Sequence, residues 1–178
     1  MLFYLATIKD SKDRKRFISI YKNYRGLMFQ VAYQILGSES DAEDAVHDAF
    51  TRIVPLIGRI EDAESPKTKA FAASIAENRA IDMLRKRNLM AEEELDEAAE
   101  PSAQAGPENA AESNTIAGVI ASLPAGYREV LLWRYDLGLT VREIAEAGEK
   151  TEAAVEKMIQ RAKARLKIEL AKEDIYVD

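Results

Sequence analysis

Three groups of side chains are spaced so that they could do chemistry. Asn78, Arg79, Asp82, Arg85, Lys86 and Arg87 stand close together at helical spacing. Their cations could follow a phosphate track while the Asn78 amide reads an unstacked base. Further on, Glu156, Lys157, Gln160, Arg161, Lys163, Arg165 and Lys167 interleave with Val155, Ile159, Ala162, Leu166 and Leu170. That pattern makes a helix with one apolar and one charged face, and near its N-terminus such a helix can reach base edges in the major groove. The third group is acidic: Asp41, Asp44, Asp48 and Thr51 share a helix face, with His47 beside it. It could dock a basic partner helix. Taken singly, each group also fits a solvated charged face or side chains that complement a helix dipole.

Catalysis finds little support in the same residues. His47 is the single histidine and there is no cysteine, so thiolate chemistry, disulfides and zinc-finger sites drop out. No Ser or Cys stands in a recognisable spacing to His47, and no glycine-rich phosphate loop is present. No catalytic residue, cofactor or metal site is expected. The opening MLFYLATIKDSKDRKRF has too short and too early an apolar stretch for a signal peptide. No run approaches the roughly 18 to 20 apolar residues of a membrane span, so a cytoplasmic protein with no membrane insertion is expected.

The elements that must position these groups read as helices throughout. Phe17, Ile20, Tyr21, Tyr24, Leu27, Met28, Val31, Ala32, Ile35 and Leu36 recur at helical spacing, with Gly37 as the stop. Ser40 and Glu43 form a capping-box pattern before the stripe Ala45, Val46, Ala49, Phe50, Ile53, Val54 and Ile57. Ser65 and Pro66 open a third helix that ends near Arg87 and Asn88. Beyond it, short helices are predicted over Ile116 to Leu123 and Tyr127 to Tyr135. Thr140 and Glu143 make a second capping box for a helix to Ala147, Gly148-Glu149-Lys150 breaks it, and Thr151 caps a long final helix. A short helix, a glycine-bearing turn and a longer helix make a helix-turn-helix.

Charge divides the 178-residue chain into parts. The net charge is -6, the wrong sign for a polyanion binder if it were spread evenly. It is not. Residues 1–90 hold 15 basic and 12 acidic side chains, residues 91–118 hold none and 8, and residues 119–178 hold 10 and 11. The middle segment, AEEELDEAAEPSAQAGPENAAESNTIAG, is too poor in large apolar residues to fold alone and reads as a flexible acidic linker. The chain is therefore expected to be all-α: two small helical domains, 1–90 and 119–178, joined by a tether at 91–118.

With the groups in this order, the chain resembles an extracytoplasmic-function (group IV) RNA polymerase sigma factor, the minimal class that keeps only regions two and four. The likeness covers nearly the whole chain. It rests on SESDAEDAVHDAF for the polymerase-binding part of region two, and on FAASIAENRAIDMLRKRN for its melting and minus-ten-reading part. SLPAGYREVLLWRYDLGLTVREIAE with AAVEKMIQRAKARL stands for region four. The resemblance implies a bacterial initiation factor that binds core RNA polymerase and promoter DNA, is restrained by an anti-sigma factor, and is monomeric when free.

It further implies that Asp41, Asp44, His47, Asp48 and Phe50 face the polymerase clamp. The loop from Glu61 to Lys69, through Lys67 and Lys69, would hold the minus-ten strand with Asn78, Arg79, Asp82, Arg85 and Lys86. Thr151, Glu156, Lys157, Gln160, Arg161 and Arg165 would meet the minus-thirty-five element. Four positions depart from the family pattern, His47 among them, where glutamine is commoner. Glu156 replaces a basic residue and fits a cytosine amino group instead, Gly148 replaces a large apolar one, and Phe71 stands for the melting-segment tryptophan. The rival readings are a sigma-like decoy for an anti-sigma factor, and a helix-turn-helix repressor, which would form dimers and bind duplex without polymerase.

Overall fold

The computed structural model describes residues 1–97 and 116–173, with the side chains of 91–97 left aside. The described residues are helical with no strand. The first module comprises α1 (Leu2–Thr7), α2 (Ser11–Leu36), α3 (Glu39–Ile53), a 3₁₀ turn (Val54–Arg59) and α4 (Pro66–Glu97). The second holds α5 (residues 116–122), α6 (Ala125–Leu131), a π-helical turn (Leu132–Asp136), α7 (Val141–Ala147) and α8 (Glu152–Lys172).

Caps set most of these boundaries. Asp10 accepts hydrogen bonds from the Lys12 and Asp13 backbone N–H groups to open α2, and Gly37 closes it at φ 66° with its N–H on the Tyr33 carbonyl. Only a residue without Cβ takes that left-handed conformation freely. Ser65 caps α4 by accepting from the Thr68 N–H, and Thr140 with Glu143 forms the reciprocal box at α7. Three expectations are corrected. Helix α3 is capped by Ser38, not Ser40, because the chain re-enters helix directly after the left-handed Gly37, and Glu43 bonds Arg25 at 2.7 Å instead of a cap. Helix α4 runs on to Glu97, since nothing from Ala91 onward breaks a helix until Pro101. The sequence also gave no warning of α1, whose six residues are held by tertiary contacts and not by propensity. Most of the expected linker, residues 98–115, lies outside the described residues.

Helices α2, α3 and α4 pack into a bundle around Phe17, Ile20, Met28, Phe50 and Ile53, all 0% exposed. Burying such side chains contributes about 1.5 to 3 kcal/mol each. Toward α4 the interior is built from Ala70, Ala72, Ala73, Ala76 and Ala80, small residues that let backbones come close. This stripe has a long-range consequence. The cluster containing Ala70, Ala73, Ile81 and Leu84 continues without a break into Val130, Trp133, Ile144 and Val155 of the second module, so the two modules are docked.

Candidate polymerase and nucleic-acid interfaces

The acidic group sits on α3. Asp44 and His47 are exposed, Asp41 and Asp48 half-buried. Helix α1 lies against this face: the Tyr4 hydroxyl bonds to His47 Nδ1, and the Phe3 ring is 6.2 Å from the imidazole. Leu2 and Phe3 remain 81% and 68% exposed, adding an apolar margin to the acidic surface. Three expected docking residues are otherwise engaged. Phe50 is fully buried among Phe17, Tyr4 and Tyr21, so it supports the face from beneath and cannot touch a partner. Asp48 forms an ion pair with Arg79 Nε, and Arg87 reaches Asp41 at 3.7 Å. The acidic helix is thereby tied to the basic one, which spacing alone left separate.

The basic group on α4 and its loop meets the second module. Lys67 Nζ lies 3.0 Å from Glu149, and Lys69 Nζ donates to the Leu137 carbonyl at 3.2 Å. Asn78 Oδ1 accepts from Arg128 at 3.0 Å, and Arg85 donates to the Ala121 carbonyl at 2.6 Å. Arg79 also bonds Asp82 at 3.0 Å. Lys86 is exposed. Beside them, Trp133 Nε1 donates to Ser74 Oγ at 2.8 Å in a buried contact. A cleft of about 870 Å³ opens between loop 61–69, Phe71 and Asn78 on one wall and Glu129, Trp133 and Glu146 on the other.

Sequence reasoning missed Glu77. It is 5% exposed and its carboxyl is pushed up to about 7, by burial above all, with Arg128 opposing and Glu129 and Asp136 adding to the rise. Those three charges all belong to the second module, so the docking adjusts a shift that burial dominates. Arg128 is likewise 5% exposed and spans the junction, with Nη1 on the Leu123 carbonyl at 2.7 Å. A carboxylate inside an otherwise apolar helix stripe was the available signal.

The third group stands apart. In α8, Val155 and Ala162 are buried while Glu156, Lys157, Gln160, Arg161 and Arg165 are exposed. The exposed Thr151 hydroxyl caps the helix by accepting from the Ala154 N–H. Arg165 pairs with Glu169 one turn on, at 2.7 Å. Helices α7 and α8 enclose a turn in which Gly148 ends α7 and Glu149 takes φ 53°. A Cβ at Gly148 would sit 3.2 Å from the Ile144 carbonyl and 3.6 Å from the Trp133 ring. A side chain there would therefore press on the Ile144 carbonyl, with the tryptophan ring at ordinary contact distance.

No helix among the described residues is long and apolar enough to cross a membrane, and no described group of side chains could hold a metal ion. Two family models match the chain in order: Sigma-70 region 2 over residues 20–89, and Sigma-70, region 4 over residues 113–166. The ECF RNA polymerase sigma factor SigW of Bacillus subtilis (strain 168) is 30% identical over 171 residues, covering 89% of this chain and 90% of that protein. RNA polymerase sigma factor SigV of the same organism is 22% identical over 168 residues, covering 94% and 98%. The solved structure of CnrH in complex with the cytosolic domain of CnrY shares the fold, with TM-score 0.54 at 20% identity over 96% of this chain and 94% of that one. By the identity and coverage of its match to SigW, and by the two family models in order, the chain belongs to the ECF RNA polymerase sigma factor family, initiation factors that bind core RNA polymerase and promoter DNA.

Proposed function

We propose that the three side-chain groups divide the work of initiation in this chain, with no catalysis of their own. The acidic α3 face, with Asp44 and His47 outermost, docks on the polymerase clamp. Loop 61–69 and α4 hold the unpaired minus-ten strand, and α8 reads the minus-thirty-five duplex. The observation that carries this is α8: its apolar stripe is spent inside the module, while Glu156, Lys157, Gln160 and Arg161 all point outward from the N-terminal half that enters a groove.

The boundaries 1–90, 91–118 and 119–178 belong to the same proposal, as do a cytoplasmic location, a monomeric free state and an anti-sigma partner. The partner is supported by the complex of the fold relative CnrH with the cytosolic domain of CnrY. A tether between modules makes the second DNA contact intramolecular, so modest affinities combine once both sites are spaced correctly. The experiment is direct. Purified chain with core polymerase on a genomic promoter library should give discrete transcription starts sharing two upstream elements. Stable dimers that bind duplex without polymerase would favour a helix-turn-helix repressor.

A further inference from the structure

The geometry points to a receptor for a primary alkylammonium cation: a slot in which Glu77, Asp136 and Gln34 accept the N–H donors while apolar side chains take the carbon chain. Such a ligand would belong to the chain itself, whatever use the factor makes of polymerase and DNA.

Glu77 is a buried carboxyl with nothing to hold it. It is 5% exposed in the middle of α4, and among the described residues no hydrogen bond or ion pair reaches its side chain. A carboxyl taken out of water is ordinarily paired, bound to a cation or kept protonated. The cation that acts on it, Arg128, is committed elsewhere, with Nη1 on the Leu123 carbonyl at 2.7 Å and Nη2 on Asn78 Oδ1 at 3.0 Å. The other charges that act on it, Glu129 and Asp136, are both acidic. Burial raises the Glu77 carboxyl to about 7, so near neutrality a proton holds the place that a cation would fill.

The side chain lines a slot of about 230 Å³ together with Asp136 of the π-helical turn and Gln34 of α2. Ile35, Ile120 and Leu132 supply apolar wall. The slot is small beside the roughly 300 to 1,000 Å³ of sites for drug-sized ligands, so its occupant has a short chain. Two carboxylates and an amide oxygen match the three donors of a primary ammonium. They do not match a divalent ion, which takes about six or more oxygens, and no described group of three or more acidic or histidine side chains could hold a metal. Two sources carry the required chemistry: a free short-chain amine, and the lysine side chain of a partner protein.

The test is titration calorimetry of the full chain with n-butylammonium at pH 6 and pH 8, each in two buffers of different ionisation heat. Butylammonium should bind with about millimolar affinity at pH 8. At pH 6 it must first displace the Glu77 proton, so binding should be about tenfold weaker. A proton should pass to the buffer at pH 6 and none at pH 8. Glu77→Gln, the neutral isostere of the protonated form, should lose about tenfold or more in affinity at pH 8, and the pH dependence with it. Asp136→Asn should weaken binding and keep the pH dependence. Emission of Trp133, the sole tryptophan, should match the parent in both variants at pH 6, showing the modules still docked.

Absence of binding at tens of millimolar overturns the site. Equal affinity in Glu77→Gln overturns it as well, since the contact is then adventitious. So does 1-butanol binding as tightly, because the slot then takes only the chain, and so does tighter binding of magnesium that Glu77→Gln abolishes, because the ligand is then a hard ion. A last arm separates the sources. Nα-acetyl-lysine N-methylamide binding tighter than butylammonium points to a partner's lysine, and weaker binding points to a free amine; either supports the slot.

Discussion

Helices α4 and α8 both carry basic side chains suited to nucleic acid, but the fold disposes of them in opposite ways. On α8 the apolar stripe faces inward and Lys157 and Arg161 are exposed, as expected for a helix packed along one side only. On α4 the stripe is wider. Alanines face α2 and α3, Trp133, Arg128 and Leu132 of the second module pack on part of the remaining surface, and Asn78, Asp82, Arg85 and Lys86 stay exposed. A helix packed along one side and one packed along two differ less in composition than in how much of their circumference another element buries. Local sequence thus defines a candidate DNA surface, while its availability depends on a partner far along the chain.

This contrast can be broken from its strongest point outward. Trp133→Ala should cost the most, about 3 to 5 kcal/mol by the usual scale for an aromatic truncated in a core. Chemical denaturation followed by circular dichroism checks it, and a loss below about 1 kcal/mol would mean that the docked cluster contributes little.

Next comes pH. Glu77 has its carboxyl raised to about 7 in the docked form, so that form holds the proton more tightly than a separated module whose carboxyl titrates near the ordinary 4.5. Docking is then strongest below about 4.5, weakens as pH rises toward 7, and is level beyond. The span is at most on the order of 3 kcal/mol, reached if separation exposes the carboxyl fully. Glu129, raised by burial, pushes the same way. Trp133 emission followed across pH 4.5 to 7.5 should redden along this course, and Glu77→Gln should flatten it. A Glu77→Gln curve that matches the parent would assign the change to another group.

Arg161→Ala samples the open face. It should weaken upstream recognition by about 1 to 3 kcal/mol at one or two base positions if the guanidinium makes a bidentate base contact, with Trp133 emission unchanged. Equal losses on every promoter would reduce it to a phosphate contact. The smallest effect belongs to Glu149→Ala. Its carboxylate meets Lys67 with both side chains largely exposed, and exposed pairs contribute about 0 to 1 kcal/mol. A slight rise in the open fraction is expected, and a large one would make this pair a principal latch.

Much of the architecture could be read from residues alone, because caps and periodicity are short-range. Gly37, Ser65 with Pro66, the Thr140 and Glu143 box and Thr151 mark helix ends through contacts within a few positions. The acidic group on α3 and the basic groups on α4 and α8 were legible as clusters for the same reason, since helical spacing brings each together on its own helix. Where local rules competed, they misled. Ser40 with Glu43 satisfies a capping pattern, but Arg25, from another helix, claims the glutamate. Phe50 has the position of a docking residue and the surroundings of a core one.

What the sequence by itself determined was an all-helical chain of two modules, with its charged clusters at helical spacing. Only the tertiary structure decided that Asp48 answers Arg79, that α1 lies on His47, and that Asn78, Ser74 and Glu77 are met by Arg128 and Trp133. These pairings join residues tens of positions apart. Their strength comes from desolvation and apolar contact that exist only once both surfaces are in place, so no periodicity in the chain announces them.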